Sequence, residues 1–160
     1  MDDDLIRQLG YANLDARLKR ISDKMSHSIR SMYKELNIDT EPNWYLVLIL
    51  VRDTPNISVM EIANRLKFTH QSVIMMTNKM ISNGYLNNAK DPQDKRKTVF
   101  QLTSKAEINL PILTKIWNIG TEVIFQLMNE DPAIISHLEV LESNLEKSSF
   151  GERIIKRLND

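Results

Sequence analysis

The chain has 160 residues, 42% apolar and 26% charged, ordinary for one soluble globular domain or a core with a helical extension. It has no cysteine, which excludes disulfides, thiolate metal sites and thiol switches, and its longest apolar run, Trp44–Val51, is far short of the roughly 20 residues that a membrane-spanning helix needs. Basic and acidic residues balance at 21 each, but unevenly: residues 53–105 carry eight basic against four acidic, and residues 106–160 carry five against nine.

A basic middle between neutral and acidic flanks suits a protein that touches phosphates with one part only. The opening Met1-Asp2-Asp3-Asp4 lacks the basic start and apolar core of a secretory signal. The expectation is a cytoplasmic protein whose three aspartates form a disordered, solvated start.

Taken in order, Leu14, Leu18, Ile21, Met25, Met32 and Leu36 step by three, four or seven and predict a long first helix. The break at 37–42 leads into a second, short helix over Trp44–Arg52, apolar on nearly every side and therefore buried. Ser58 and Glu61 form a capping-box pattern for a third helix with Ile62, Ala63 and Leu66 inside. After Lys67-Phe68, Thr69 caps a fourth helix with Val73, Met76, Thr77 and Met80 inside; Gly84 can take the left-handed conformation that ends it.

The period then changes. Tyr85–Lys90 and Thr98–Leu102 read as strands of a hairpin around the polar turn 91–97, with Phe100 and Leu102 inward. Thr103-Ser104 caps a long helix with Ile108, Ile112, Ile116, Val123 and Leu127 on one stripe, and Pro111 can bend it. Pro132 starts another helix bearing Ile134, Leu138, Leu141 and Leu145. Residues 148–151 interrupt the pattern before a terminal amphipathic segment, Glu152–Leu158.

Two helices joined by a tight turn and followed by a basic hairpin make a winged helix-turn-helix. The second helix of such a pair is offered to the major groove, where base edges carry a distinguishable donor and acceptor code. Thr69, His70, Gln71 and Ser72 form its polar first turn. Gln71 can donate to and accept from an adenine edge, while His70 and Ser72 can reach bases or phosphates. Ile74 and Met75 are apolar yet outward by position, where they can meet thymine methyls; Asn78 and Lys79, a turn later, suit the DNA backbone. In the hairpin, Lys95, Arg96 and Lys97 are consecutive cations, and Arg96 can enter a minor groove. Asp91 and Asp94 would repel phosphate, so they are expected to brace the loop by pairing with neighbouring cations.

The stretch 57–106 resembles the DNA-binding region of the MarR (multiple antibiotic resistance regulator) family. The resemblance rests on Ile57-Ser58, Glu61-Ile62-Ala63 and Arg65-Leu66, then Ser72-Val73 and Gly84-Tyr85-Leu86. It continues through the wing Asp91-Pro92-Gln93-Asp94-Lys95-Arg96 to Phe100-Gln101-Leu102-Thr103. It implies a mainly α fold with a small β-hairpin wing. Residues 1–42 would be an N-terminal dimerisation helix and turn, 43–105 the winged helix-turn-helix, and 106–160 the C-terminal dimerisation helices. It also implies a homodimer that binds double-stranded DNA at an inverted-repeat operator and regulates transcription, with repression the usual expectation.

An effector pocket would lie between dimer region and DNA-binding lobes. Trp44 and Tyr45 are expected mainly as core, with an aromatic wall for a small aromatic or phenolic effector as the functional alternative; His27, Arg30 and Ser31 could supply its polar contacts. Three departures from the family pattern stand out. Lys67 occupies a position where the family commonly has Gly, so the turn is expected to avoid a strongly left-handed shape. Ala106 stands where Gly often follows Leu-Thr, and the recognition helix is less basic than in many relatives.

His27, His70 and His137 are too scattered for a local metal motif. With no Gly-rich phosphate loop and no nucleophile–base pair, neither enzyme activity nor a cofactor is expected. The alternative from another class is a winged-helix module that binds protein and has lost DNA contact, which the apolar Ile74 and Met75 and the zero net charge favour.

Overall fold

The computed structural model describes residues 3–91 and 93–160; Met1, Asp2 and the wing residue Pro92 lie outside the described residues. The elements run α1 (Leu5–Gln8), α2 (Leu14–Glu35), α3 (Tyr45–Asp53), β1 (Ile57–Ser58), α4 (Val59–Leu66), α5 (His70–Ser82), β2 (Leu86–Lys90), β3 (Thr98–Leu102), α6 (Ser104–Leu127), α7 (Ala133–Lys147) and α8 (Phe150–Asn159). The chain divides into two compact units, 1–108 and 109–160. Among the described residues no helix is long and apolar enough to cross a membrane.

Of the three opening aspartates, Asp2 lies outside the described residues and Asp4 is tied into the fold rather than left solvated. Asp4 caps α1 by accepting from the Arg7 amide and takes a 2.8 Å ion pair from Arg20 on α2. That pairing holds the Asp4 carboxyl below its usual range. A 3₁₀ turn, Gly10–Asn13, joins α1 to α2, and Asn37, at φ 53°, turns the chain where α2 ends. A second 3₁₀ turn takes Pro42–Trp44, so the short apolar helix begins at Tyr45 rather than Trp44. As its composition requires, α3 buries Val47, Leu48, Leu50 and Val51.

The hairpin expected from the sequence belongs to a three-stranded antiparallel sheet, ordered β1-β3-β2. The extra strand is only Ile57-Ser58, paired with Phe100 and Val99. Strand β3 therefore has a neighbour on each side, and Val99 is buried as fully as Phe100, against simple alternation; Leu102 is half-buried. Beside β1, Asn56 donates its amide to the Phe100 carbonyl and accepts a side-chain bond of 2.7 Å from Gln101.

Ser58 then serves two elements, ending β1 and capping α4. Its hydroxyl accepts the Glu61 amide, and the Glu61 carboxylate accepts the Ser58 amide at 2.8 Å, completing the capping box. Donation from the Ser58 hydroxyl and then from its amide holds the Glu61 carboxyl below its usual range. Helix α4 buries Ile62 and Ala63 and leaves Leu66 half-buried.

At Lys67 the expectation fails. The residue sits at φ 55°, ψ 31°, fully left-handed, and its amide closes on the Ala63 carbonyl. Only residues 67–69 connect α4 to α5, and this short turn places a lysine in a conformation that costs an L-residue roughly 1–2 kcal/mol.

In the second unit α7 and α8 are joined by a tight corner. Arg153 donates 3.0 Å to the Ser148 carbonyl and also bonds the Asn144 carbonyl, capping the end of α7. Ser149 and Glu152 form a second capping box, so the interruption expected over 148–151 is brief and α8 starts at Phe150 with Gly151 inside it. Neither α7 nor α8 buries a residue.

Lys67→Gly removes the left-handed penalty while loosening the unfolded chain, and should raise unfolding free energy by about 0.5–1 kcal/mol. Urea denaturation reads it as a higher midpoint at unchanged slope.

Candidate nucleic-acid interface

The interface is built from α5 and the β2–β3 wing. Thr69 caps α5, accepting the Ser72 amide at 3.1 Å, and the two hydroxyls lie 2.7 Å apart. Val73, Thr77 and Met80 are buried, and the Thr77 hydroxyl meets its hydrogen-bonding need by donating 2.9 Å to the Val73 carbonyl. This stripe packs α5 on α4 and β2. Gly84, at φ 73°, ends the helix, and the next residue, Tyr85, is buried.

The opposite side is open. His70, Gln71, Ser72, Met75, Asn78 and Lys79 are all exposed, and Met75 keeps 59% of its surface. Ile74 differs from its expected outward position. It is half-buried, because a step of one residue back from Met75 swings it about 100° round the helix toward the packed side. Met76 is half-buried too.

The wing is braced from inside. Asp94 accepts from the Arg96 amide and side-chain Nε, both at 3.1 Å, while 92% of the Arg96 side chain remains exposed. Bonding from the Arg96 side chain, then its amide, holds the Asp94 carboxyl below the usual range. Asp91 braces the turn differently from the expected ion pair: its carboxylate accepts the Gln93 and Asp94 amides at 2.7 and 3.1 Å. Lys95 and Lys97 are exposed. The wing therefore presents three consecutive cations on an internally hydrogen-bonded turn.

Of the five residues considered for an effector pocket, three lie on α2, Trp44 ends the second 3₁₀ turn and Tyr45 begins α3. His27, Arg30 and Ser31 lie exposed on α2, and Tyr45 is 40% exposed. Trp44 is buried, its ring edge-on to Tyr85 with centroids 5.7 Å apart. Trp44 also walls a cavity of about 330 Å³ with Ile38, Asp39, Thr40, Glu41, Lys79 and Asn83, which includes none of the other four.

Beside that cavity is a cluster that sequence reading missed. Lys105 lies 4.6 Å over the Tyr85 ring and donates to Asp39 at 2.7 Å and to the Asn83 carbonyl at 2.8 Å. Bonding to Asp39 raises the Lys105 pKa, and burial raises that of Tyr85. Asp39 and Lys105 are 66 residues apart, and no local pattern announces such a pair.

Residues 38–97 match the MarR family model. Over this segment the chain is similar to the MarR family. Solved structures with the same fold include a MarR protein from Peptoclostridium difficile, 23% identical, TM-score 0.71, covering 87% of this chain and 91% of that one. The repressor CouR, bound to a 23-mer DNA duplex, is 20% identical, with TM-score 0.69 and coverage of 84% and 96%. A mutant MarR from E. coli, complexed with operator DNA, is 18% identical, with TM-score 0.66 and coverage of 89% and 98%. Among curated proteins no sequence matches the chain.

The Asp94 brace has a pH signature. Its folded pKa is depressed, so the interaction is fully present above the unfolded value, about pH 4, and is lost as pH falls through the depressed value. Carbon-detected titration of the Asp94 carboxyl should give a midpoint below that of a free aspartate, and Arg96→Ala should move it back up.

Proposed function

We propose that the protein is a DNA-binding transcriptional regulator that acts as a homodimer, each copy placing α5 in a major groove and Arg96 in the adjacent minor groove. The observation that carries this reading is the pairing of surfaces: an exposed, mostly polar face of α5 beside a cationic wing whose leading arginine is 92% solvent-accessible. The matched MarR-family segment and the fold shared with proteins solved on DNA support it.

The division of labour follows from chemistry. Lys95 and Lys97 are point charges suited to phosphate and supply affinity without sequence. Arg96 gains most where a minor groove is narrow and its potential most negative. Gln71 has the paired donor and acceptor that suit an adenine edge. The Thr69 and Ser72 hydroxyls are partly committed to each other, which leaves Gln71 the freer reader in the first turn.

The dimer is supported by the apolar surface that one chain leaves uncovered. Val123, Phe125 and Leu127 on α6, Ile134, Ile135 and Val140 on α7, and Ile155 and Leu158 on α8 are all exposed. A second copy would cover them, and two-fold symmetry would then give an inverted-repeat operator with half-sites about one helical turn apart. A small aromatic or phenolic effector would act only through unequal affinity for two spacings of the reading helices. Repression is the expected direction, and the cytoplasm the expected site of action.

A protein-binding module remains the competing reading, favoured by the exposed Met75, Phe68 and Met60. Salt separates them. Duplex affinity should fall steeply with added salt, because each neutralised phosphate releases counterions, whereas an apolar helix-in-groove contact responds little. Duplex selected from a random pool should be bound about tenfold more weakly by Arg96→Ala at an unchanged unfolding midpoint. Unchanged affinity would remove the wing from the mechanism. Gln71→Ala should flatten base preference at one position per half-site while leaving nonspecific affinity within about twofold.

A further inference from the structure

The structure assigns Met75 as a specificity-determining residue: its thioether packs on a thymine 5-methyl group, about two base steps from the adenine that Gln71 reads, so the half-site carries A·T pairs at both places. The inference rests on the DNA-binding reading and specifies what that site recognises.

Buried Val73, Thr77 and Met80 fix the inner side of α5, and at 100° per residue the line opposite them runs through Gln71, Met75 and Asn78. Of these, Met75 is the one apolar side chain, and it is 59% exposed. Ile74 is half-buried, so the two apolar candidates that sequence placed side by side are separated by the fold.

The commonest specific major-groove contact, a bidentate cation on guanine, has little to work with here. Helix α5 has no arginine, and its one lysine, Lys79, helps to wall the cavity that holds Asp39, Glu41 and Trp44. What stands on the outward line is an amide, a thioether and a second amide. An unbranched thioether with three rotatable bonds can lie along a methyl group, and the major groove offers one apolar group, the thymine methyl. Four residues of helix rise about 6 Å, close to two steps of about 3.4 Å, which sets the separation between the Gln71 and Met75 contacts.

The test uses the whole 160-residue chain. Duplexes are selected from a random pool with the wild-type chain, and each thymine of the selected half-site is then replaced singly, in both half-sites, by deoxyuridine, which lacks only the 5-methyl group. One thymine should be sensitive, losing about fourfold in affinity per half-site, the scale of one apolar carbon removed from contact. Met75→Ala should bind the thymine and deoxyuridine duplexes equally, and Met75→Leu should retain the preference. Circular dichroism and unfolding midpoint confirm that both variants fold.

Selected half-sites without a fixed thymine, or a methyl dependence that survives in Met75→Ala, would overturn the assignment while the DNA-binding reading stands. Failure to enrich any duplex would remove the reading itself.

Discussion

Everything proposed for this molecule depends on α5 being held by one side only. A thirteen-residue helix has too little intrinsic stability to stand alone in water. Its position comes from Val73, Thr77 and Met80 against α4 and β2, and that anchorage is narrow. A wider apolar stripe would hold the helix more firmly but submerge the residues that could meet DNA. The buried Thr77 shows the compromise: its hydroxyl turns back onto the Val73 carbonyl, so the stripe closes without an unpaired polar group.

The wing meets a different problem. A loop with three consecutive cations repels itself, and a freely moving arginine would lose much conformational entropy on entering a groove. Asp94 answers both, at the cost of a negative charge that would lie near the phosphates of a bound duplex. The pair is exposed and adds little to stability. Its effect is on orientation: Asp94 takes the Nε proton and one on Nη2, leaving the rest of the guanidinium fork directed outward. Asp91 does the corresponding work on the backbone, accepting two successive amides and thereby fixing where the turn begins.

What the sequence made legible was local and periodic. The Ser58–Glu61 capping box, the Thr69 cap, the Gly84 stop and the buried stripe of α5 all follow from residues within four positions of each other. Three of the misses have the opposite character. Strand β1 is two residues long, too short to show alternation, and exists because β3 offers it a partner more than forty residues away. The Lys105–Asp39 pair and the Arg20–Asp4 pair were hidden for the same reason. Lys67 was misread because the residue type was allowed to decide the turn, whereas the short turn holds the lysine left-handed all the same. At Ile74 the error was angular: outward and sideways are one residue apart on a helix, and sidedness at that resolution needs the packing partners.

The zero net charge, which taken alone argues against a nucleic-acid partner, reads differently once the chain is divided. The four surplus cations of residues 53–105 are offset by the acidic surplus of residues 106–160, outside the segment that matches the family. Screening limits charge interactions in solution to roughly 10 Å, so a duplex responds to the local wing and helix rather than to the sum over the chain. The helices of the second unit face a separate demand. Helix α7 has fifteen residues and buries none, and α8 has ten and buries none, lengths that are marginal for isolated helices. The Ser149–Glu152 capping box of α8 and the Arg153 corner define where α7 ends and α8 begins but supply few apolar contacts. On the proposed dimer, covering Ile134, Ile135 and Val140 would supply the missing burial, so ordering of this unit and pairing of two chains become one equilibrium that protein concentration shifts. The same coupling would make operator binding depend on concentration more steeply than a preformed rigid dimer requires, because each chain must pair before two reading helices can be spaced to meet successive grooves.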